Sequence, residues 1–265
     1  MKGKSIILAG GSGGIGAAVA EWVASRGAIP VIGCFHNPDR ANELAERLKS
    51  RYDLPVPVVV GDVLDADVRR QLIETASARG ELYGLVPLVG EPARVPIEAA
   101  TEDDFLDSMR INFVAPMLLA RDFVASVQGI GGIGSVGSVG SVGSNVSHDA
   151  SVVLVSTMQA VGVFPGSTLY AAPKAALIHA MKILAHQWGG SGRIRVNTVA
   201  PGVTTSGMAS KSVESGKYSP FIENDVITRF GDAVDVARAI GLFLEPDNYV
   251  TGQLLTVDGG LTLRK

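Results

Sequence analysis

The feature that most constrains this chain is a short apolar stretch, residues 5–9, that runs straight into Ala9-Gly10-Gly11-Ser12-Gly13-Gly14-Ile15-Gly16 and then into a helical pattern. The order matters more than the glycine content. Without Cβ atoms the chain can turn tightly and an anionic group can approach its backbone, while a helix start offers free N–H groups and positive potential. Strand, glycine turn and helix in that order are what a bound dinucleotide requires; the plain alternative is a glycine-rich turn with no ligand. Two registers fit: Gly11, Gly13 and Gly16 follow the general dinucleotide pattern, and Gly10, Gly14 and Gly16 a wider one. Gly10, Ser12, Gly13, Gly14, Ile15 and Gly16 are the candidate contacts.

The rest of the chain continues the alternation. Apolar runs at 30–35, 56–60, 84–89, 151–155, 195–200 and 253–257 read as strands, several of them apolar throughout, as expected when both faces are covered. Between them, helical periodicity covers 15–26, 39–51, 65–79, 101–127, 169–189 and 233–244, with Thr101 as a cap. The expectation is an α/β fold, a doubly wound parallel sheet of the Rossmann type with helices on both faces, formed as a single domain over residues 1–265. Residues 129–145, where Ser-Val-Gly recurs as a near triplet, read as a Gly/Ser/Val-rich loop insert.

Composition removes several function classes. With 46% apolar and 18% charged residues, a net charge of -3 and no long basic run, the chain offers little to nucleic acid or an anionic membrane. Cys34 is the single cysteine, so no intrachain disulfide can form, and no Cys/His cluster has metal spacing. The apolar run at the N-terminus is too short for a signal-peptide core or a membrane span, and a cytoplasmic protein is expected.

At the end of the second strand, where an acid would bind a ribose 2′-hydroxyl, the chain reads Gly33-Cys34-Phe35-His36-Asn37. A 2′-phosphate would meet no repulsion there, and His36, Asn37 or Arg40 could hydrogen-bond to it. NADP(H) is the favoured cofactor, with NAD(H) as the alternative.

Tyr170-Ala171-Ala172-Pro173-Lys174 sets a phenol and an ammonium four residues apart, on one face of a helix, with Pro173 needed in its first turn. Hydride addition to a carbonyl leaves an alkoxide that must be protonated; a tyrosine whose pKa is lowered by a nearby cation can supply the proton. Ser156 and Thr157, at the end of the fifth strand, place hydroxyls where they could bond the substrate oxygen. A rival reading is a serine hydrolase, since Gly10-Gly11-Ser12-Gly13-Gly14 also matches a nucleophile elbow, although no earlier strand exists to supply an oxyanion hole.

Taken together, the glycine turn, Gly61-Asp62-Val63, Ile111-Asn112, the strand-five hydroxyls, Tyr170 to Lys174, Val196-Asn197 through Ala200-Pro201-Gly202, and Val257-Asp258-Gly259-Gly260 resemble the short-chain dehydrogenase/reductase family, near its 3-oxoacyl-acyl-carrier-protein-reductase-like members. The resemblance implies Tyr170 as acid/base, Lys174 binding the nicotinamide ribose and depressing the tyrosine pKa, and Asn112 holding a relay water. It implies Asp62 and Val63 beside the adenine, Gly90 against the cofactor, and Pro201, Gly202 and Thr204 along the nicotinamide. It also implies a substrate lid at 203–229 and a homotetramer. Two departures stand out: Thr157 occupies the usual serine position, and Pro87-Leu88-Val89-Gly90 replaces Asn-Asn-Ala-Gly.

The expected activity is hydride transfer between the nicotinamide and a small-molecule carbonyl/alcohol pair, most simply reduction of a ketone or 3-oxoacyl compound. The four-residue spacing of Tyr170 and Lys174 is unlike the wider one of enoyl reductases. The alternative is a non-catalytic dinucleotide-binding sensor or scaffold.

Overall fold

The computed structural model describes residues 1–129, 149–190 and 193–264. Seven parallel strands form one sheet: β1 (Lys4–Ala9), β2 (Ile29–Cys34), β3 (Val58–Val60), β4 (Glu81–Pro87), β5 (Ala150–Val155), β6 (Ile194–Pro201) and β7 (Leu254–Val257). Their spatial order is β3-β2-β1-β4-β5-β6-β7, so the direction of winding reverses between β1 and β4. Open sheets of this type bind ligands at the carboxyl ends of the strands beside such a reversal.

Two helical layers cover the sheet. On one face lie α1 (Gly14–Ser25), α2 (Pro38–Tyr52) and α9 (Ala233–Leu244), whose buried Val19, Leu44 and Phe243 pack with Leu8 and Ile32. On the other lie α3 (Ala66–Ser77), α5 (Ala115–Val127) and α6 (Thr168–Gly189), which bury Leu72, Phe123 and Leu177 against Leu85 and Leu154. Each such side chain taken fully out of water is worth about 1.5–3 kcal/mol. Around the sheet ends sit α4 (Glu102–Met109), α7 (Ser210–Glu214), α8 (Ser219–Glu223) and α10 (Leu261–Arg264).

Local chemistry sets the helix limits. Asn37 caps α2 by accepting from the Arg40 N–H at 3.0 Å, with Pro38 at the first helical position. Thr101 and Asp104 form a capping box on α4, and Asp232 and Asp235 another on α9. The periodicity expected as one helix over 101–127 is interrupted: residues Arg110–Val114 form a π turn between α4 and α5. Phe35 falls outside β2 and is 55% exposed, and β3 begins only at Val58, two residues later than expected, and ends at Val60, which still pairs with Cys34. The Ser-Val-Gly repeat lies outside the described residues, apart from Gly129.

Helices α1 and α9 meet at Gly241, where a methyl group would overlap the Trp22 ring. Alanine gains about 1 kcal/mol of helix propensity over glycine, whereas overpacking a rigid contact costs roughly 1–3 kcal/mol. Gly241→Ala is therefore expected to lower stability by about 1 kcal/mol in urea denaturation and to shift Trp22 fluorescence; a stabilised variant would show that the interface yields freely.

Candidate active site

A cleft of about 450 Å³ opens at the carboxyl ends of β1, β4, β5 and β6, between the glycine turn and the segment after β6. Gly10 has φ +81°, and its amide donates to the Gly33 carbonyl at 2.9 Å, which fixes the turn to β2. A Cβ on Gly14 would fall 2.9 Å from Ser206 Oγ, and one on Gly16 would fall 2.7 Å from Gly11 Cα, whereas Gly13 meets only ordinary contact at 3.5 Å. Gly11 is crowded as well, its Cβ position 2.7 Å from the Leu8 carbonyl oxygen, so packing demands glycine at 10, 11, 14 and 16 and sets the registers apart only through the crowding at Gly14 against the room at Gly13. Unlike α2, α4 and α9, helix α1 has no side-chain cap and no acid in its first turn, so its leading N–H groups and positive end are left for an anion.

Across the cleft, Lys174 is 3% exposed, and its Nζ donates to the Val155 carbonyl at 3.1 Å and the Val89 carbonyl at 3.2 Å. Burial without a carboxylate partner pulls its pKa down to about 8. Tyr170, one turn earlier, has its hydroxyl pushed up to about 12 by burial, and a hydrogen bond from Thr157 is what lowers it. The expectation that Lys174 depresses the tyrosine pKa is corrected accordingly: its ammonium is committed to two backbone carbonyls, and the lowering influence on Tyr170 is Thr157. Ser156 is also corrected. Its hydroxyl donates to the Lys174 carbonyl at 2.9 Å, so it ties β5 to α6 instead of facing a substrate oxygen.

Pro173 sits in the second turn of α6, not the first as expected. A proline there has no N–H for the carbonyl four residues back, which would leave Leu169 O without its helical partner. The Ser108 hydroxyl from α4 supplies the missing donor at 2.6 Å. Ser108 Oγ in turn accepts from Asn112 Nδ2 at 3.1 Å. Asn112, fully buried in the π turn, uses its other Nδ2 proton on the Glu91 carbonyl at 2.9 Å and accepts the Glu91 N–H at 3.0 Å. One carboxamide thereby clamps the backbone just after β4, where the apolar Pro87-Leu88-Val89 run provides no polar side chain. Sequence reasoning missed Ser108, the one buried residue of the largely exposed α4; its place four residues before Asn112 was the available signal. Gly90 packs beneath this clamp, since a Cβ there would lie 2.9 Å from Asn112 Oδ1 and 3.0 Å from Lys174 Nζ.

At the far end of the turn, His36, Asn37 and Arg40 are exposed; His36 stacks at a tilt on Phe35, and the Asn37 side chain is spent on its cap. Asp62 closes a local turn by accepting from the Leu64 N–H at 2.9 Å, and Val63 is buried. Arg69 holds this loop, donating to the Val63 and Leu64 carbonyls at 2.9 Å while pairing with Asp122 at 2.6 Å. Pro201, Gly202 and Thr204 line the cleft. The Thr204 hydroxyl, however, donates to the Ser206 carbonyl at 2.9 Å, while the buried Ser206 hydroxyl beside the cleft, like that of Thr198 in β6, has no hydrogen-bond partner among the described residues. Ser12 has no hydrogen bond to a histidine among the described residues, which removes support for the hydrolase reading.

An uncapped helix start, a glycine turn with no room for a Cβ at Gly14 or Gly16 and an orphaned Ser206 Oγ beside them fit the pyrophosphate and nicotinamide half of a dinucleotide. Fold and site together define a dinucleotide-dependent oxidoreductase of the doubly wound class. The family model described as Enoyl-(Acyl carrier protein) reductase matches residues 9–262. A tropinone reductase homolog of Arabidopsis thaliana is 30% identical over 99% of this chain and 80% of its own length. The 7alpha-hydroxysteroid dehydrogenase of Bacteroides fragilis is 29% identical over 98% of this chain and 95% of its own. A solved short-chain type dehydrogenase/reductase from Mycobacterium ulcerans matches with a TM-score of 0.86 at 24% identity, covering 100% of this chain and 92% of that one. The chain belongs to the short-chain dehydrogenase/reductase family of NAD(P)-dependent oxidoreductases. Among the described residues no helix is long and apolar enough to cross a membrane.

Ser108→Ala removes the donor to Leu169 O and the acceptor of Asn112, and is expected to cost about 1–3 kcal/mol of stability. Adding Pro173→Ala, which restores an N–H for Leu169 O but no acceptor for Asn112, should recover the part of that loss due to Leu169 O in a double-mutant cycle read by urea denaturation. Strict additivity would show that the hydroxyl does not compensate for the proline.

Proposed function

We propose that this protein reduces a small ketone or 3-oxoacyl compound to the alcohol, with NADP(H) as its preferred cofactor. The observation that carries the reading is the Thr157–Tyr170 hydroxyl pair beside buried Lys174, in a cleft continuous with the glycine turn. When bound, the nicotinamide supplies the hydride. Thr157, whose oxygen also accepts the Gln159 N–H at 3.4 Å, turns its one hydroxyl proton from Tyr170 to the substrate carbonyl oxygen and holds that oxygen against the Tyr170 hydroxyl. Tyr170 then gives its proton to that oxygen as negative charge develops on it, and the new alcohol O–H replaces the phenolic one. Lys174, fixed by Val89 O and Val155 O, keeps a positive charge below this pair and a third N–H direction for a ribose hydroxyl.

The four-residue spacing of Tyr170 and Lys174 favours carbonyl over enoyl chemistry, whatever the description of the matching family model. The NADP(H) preference rests on the acid-free end of β2 and on exposed Arg40 next to it. Cytoplasmic location and a homotetrameric state rest on composition and on family resemblance respectively.

The pH dependence follows from the two shifts. Tyr170, at about 12, remains protonated through the neutral range, so it can donate throughout; Lys174, at about 8, loses its charge as pH rises past that value. Ketone reduction should be flat up to about pH 8 and fall above it, while alcohol oxidation, which needs the phenolate, should climb with pH. Tyr170→Phe should lower turnover at least about 10²-fold, the usual scale of a lost general acid, yet still bind NADPH more tightly than NADH in fluorescence titration. Undiminished turnover would remove Tyr170 from the mechanism, and wild-type cofactor binding with no ketone turned over would favour a dinucleotide sensor.

A further inference from the structure

The catalytic groups account for the inner part of the cleft and leave its outer wall unexplained. That wall carries two cations from separate elements: Arg94, on the loop between β4 and α4, and Lys217, on the segment between α7 and α8. Both are exposed. Arg94 reaches across to the other wall, where Nη2 donates to the Met208 carbonyl at 3.3 Å. Lys217 Nζ lies 5.5 Å from the centre of the Tyr218 ring. Arg94 is also near enough to the Tyr218 hydroxyl to oppose the rise in pKa that burial gives it, so the two cations flank one tyrosine.

Neither cation has a carboxylate partner among the described residues. No aspartate or glutamate lines the cleft among the described residues, in a chain that carries 26 acids against 23 bases. A surface with more acids than bases ordinarily pairs its exposed arginines; an acid-free wall with two unpaired cations makes a local positive field at the cleft mouth. The Arg94 guanidinium is planar and can grip a carboxylate or phosphate through two parallel N–H bonds, and Lys217 can add a point charge.

We propose that the substrate is an anionic ketone, bearing a carboxylate or a phosphate that Arg94 and Lys217 bind while its carbonyl lies against Thr157 and Tyr170. This rests on the reductase reading above and narrows it to a substrate class.

The test compares kcat/KM for two matched pairs with NADPH: a 3-oxo acid against its methyl ester, and a 3-oxoacyl thioester of 4′-phosphopantetheine against that of pantetheine. The first pair isolates a carboxylate, the second a phosphate. In at least one pair the anionic member should be favoured by about tenfold or more, the lower range for a charge-assisted hydrogen bond, chiefly through KM. That ratio should shrink at high salt, because exposed charges are screened, and should shrink again in Arg94→Met and in Lys217→Met. Both sites are on the surface, so folding is not at stake. Equal use of both members in both pairs overturns the proposal and leaves the reductase reading standing. So does an anion preference that neither variant reduces, or a loss of NADPH affinity in the variants that matches the loss of activity and assigns the cations to the cofactor. No turnover of the four compounds overturns the anionic-ketone proposal, and a panel of neutral ketones run beside them decides the reductase reading separately.

Discussion

The structure depends on one buried ammonium. Lys174 holds the carbonyls that follow β4 and end β5 at the place where those strands stop supporting each other: their paired register ends at Leu85 and Val152, whereas β5 and β6 pair through six positions. Beyond that point the strands leave a cleft, and the lysine spans it. Lowering a lysine from 10.5 to about 8 corresponds to about 3 kcal/mol of desolvation at neutral pH, a large share of a domain's net stability. The cost is spread over the ties that keep the lysine in place, including the Ser156 hydroxyl on its own carbonyl.

The same region departs from local rules more than any other. A proline lies inside a helix, a π turn interrupts the α4–α5 run, and an apolar tripeptide leads into the clamp at Glu91. Each departure has a partner across the site: Ser108 answers Pro173, Asn112 answers the apolar end of β4, and Thr157 answers the burial of Tyr170. The hydrogen bonds form a chain from the backbone beside the cofactor cradle, through Asn112 and Ser108, to the helix that carries Tyr170. Displacing any link would move the proton donor relative to the hydroxyl that orients the substrate, and misplacement by about 1 Å is enough to cost a large part of a rate.

What was legible in the sequence is what local chemistry decides. The strand-turn-helix order around Gly10 to Gly16, the alternation that gives the parallel sheet, the cap at Thr101 and the pairing of Tyr170 with Lys174 all follow from short-range spacing. What was not legible needed a partner distant in sequence. Ser156 could be assigned to the substrate until Lys174 O was found above it, 18 residues on. Pro173 argued for a first-turn position until Ser108, far back in the chain, relieved it. Thr204 and Ser206 are equivalent hydroxyls in sequence, and only the loop fold shows which one is satisfied and which faces the glycine turn. The separation of the two glycine registers likewise needed the crowding at Gly14 and the room at Gly13.

The central claim is that this cleft moves a hydride onto a carbonyl carbon while Tyr170 protonates the oxygen. Reduction of a turned-over ketone with nicotinamide cofactor deuterated at C4 on the transferred face, followed by mass spectrometry of the product, tests it most directly. The account predicts one deuterium on the carbinol carbon and none exchanged to solvent. Product alcohol without deuterium, from either C4 epimer of the cofactor, would contradict it.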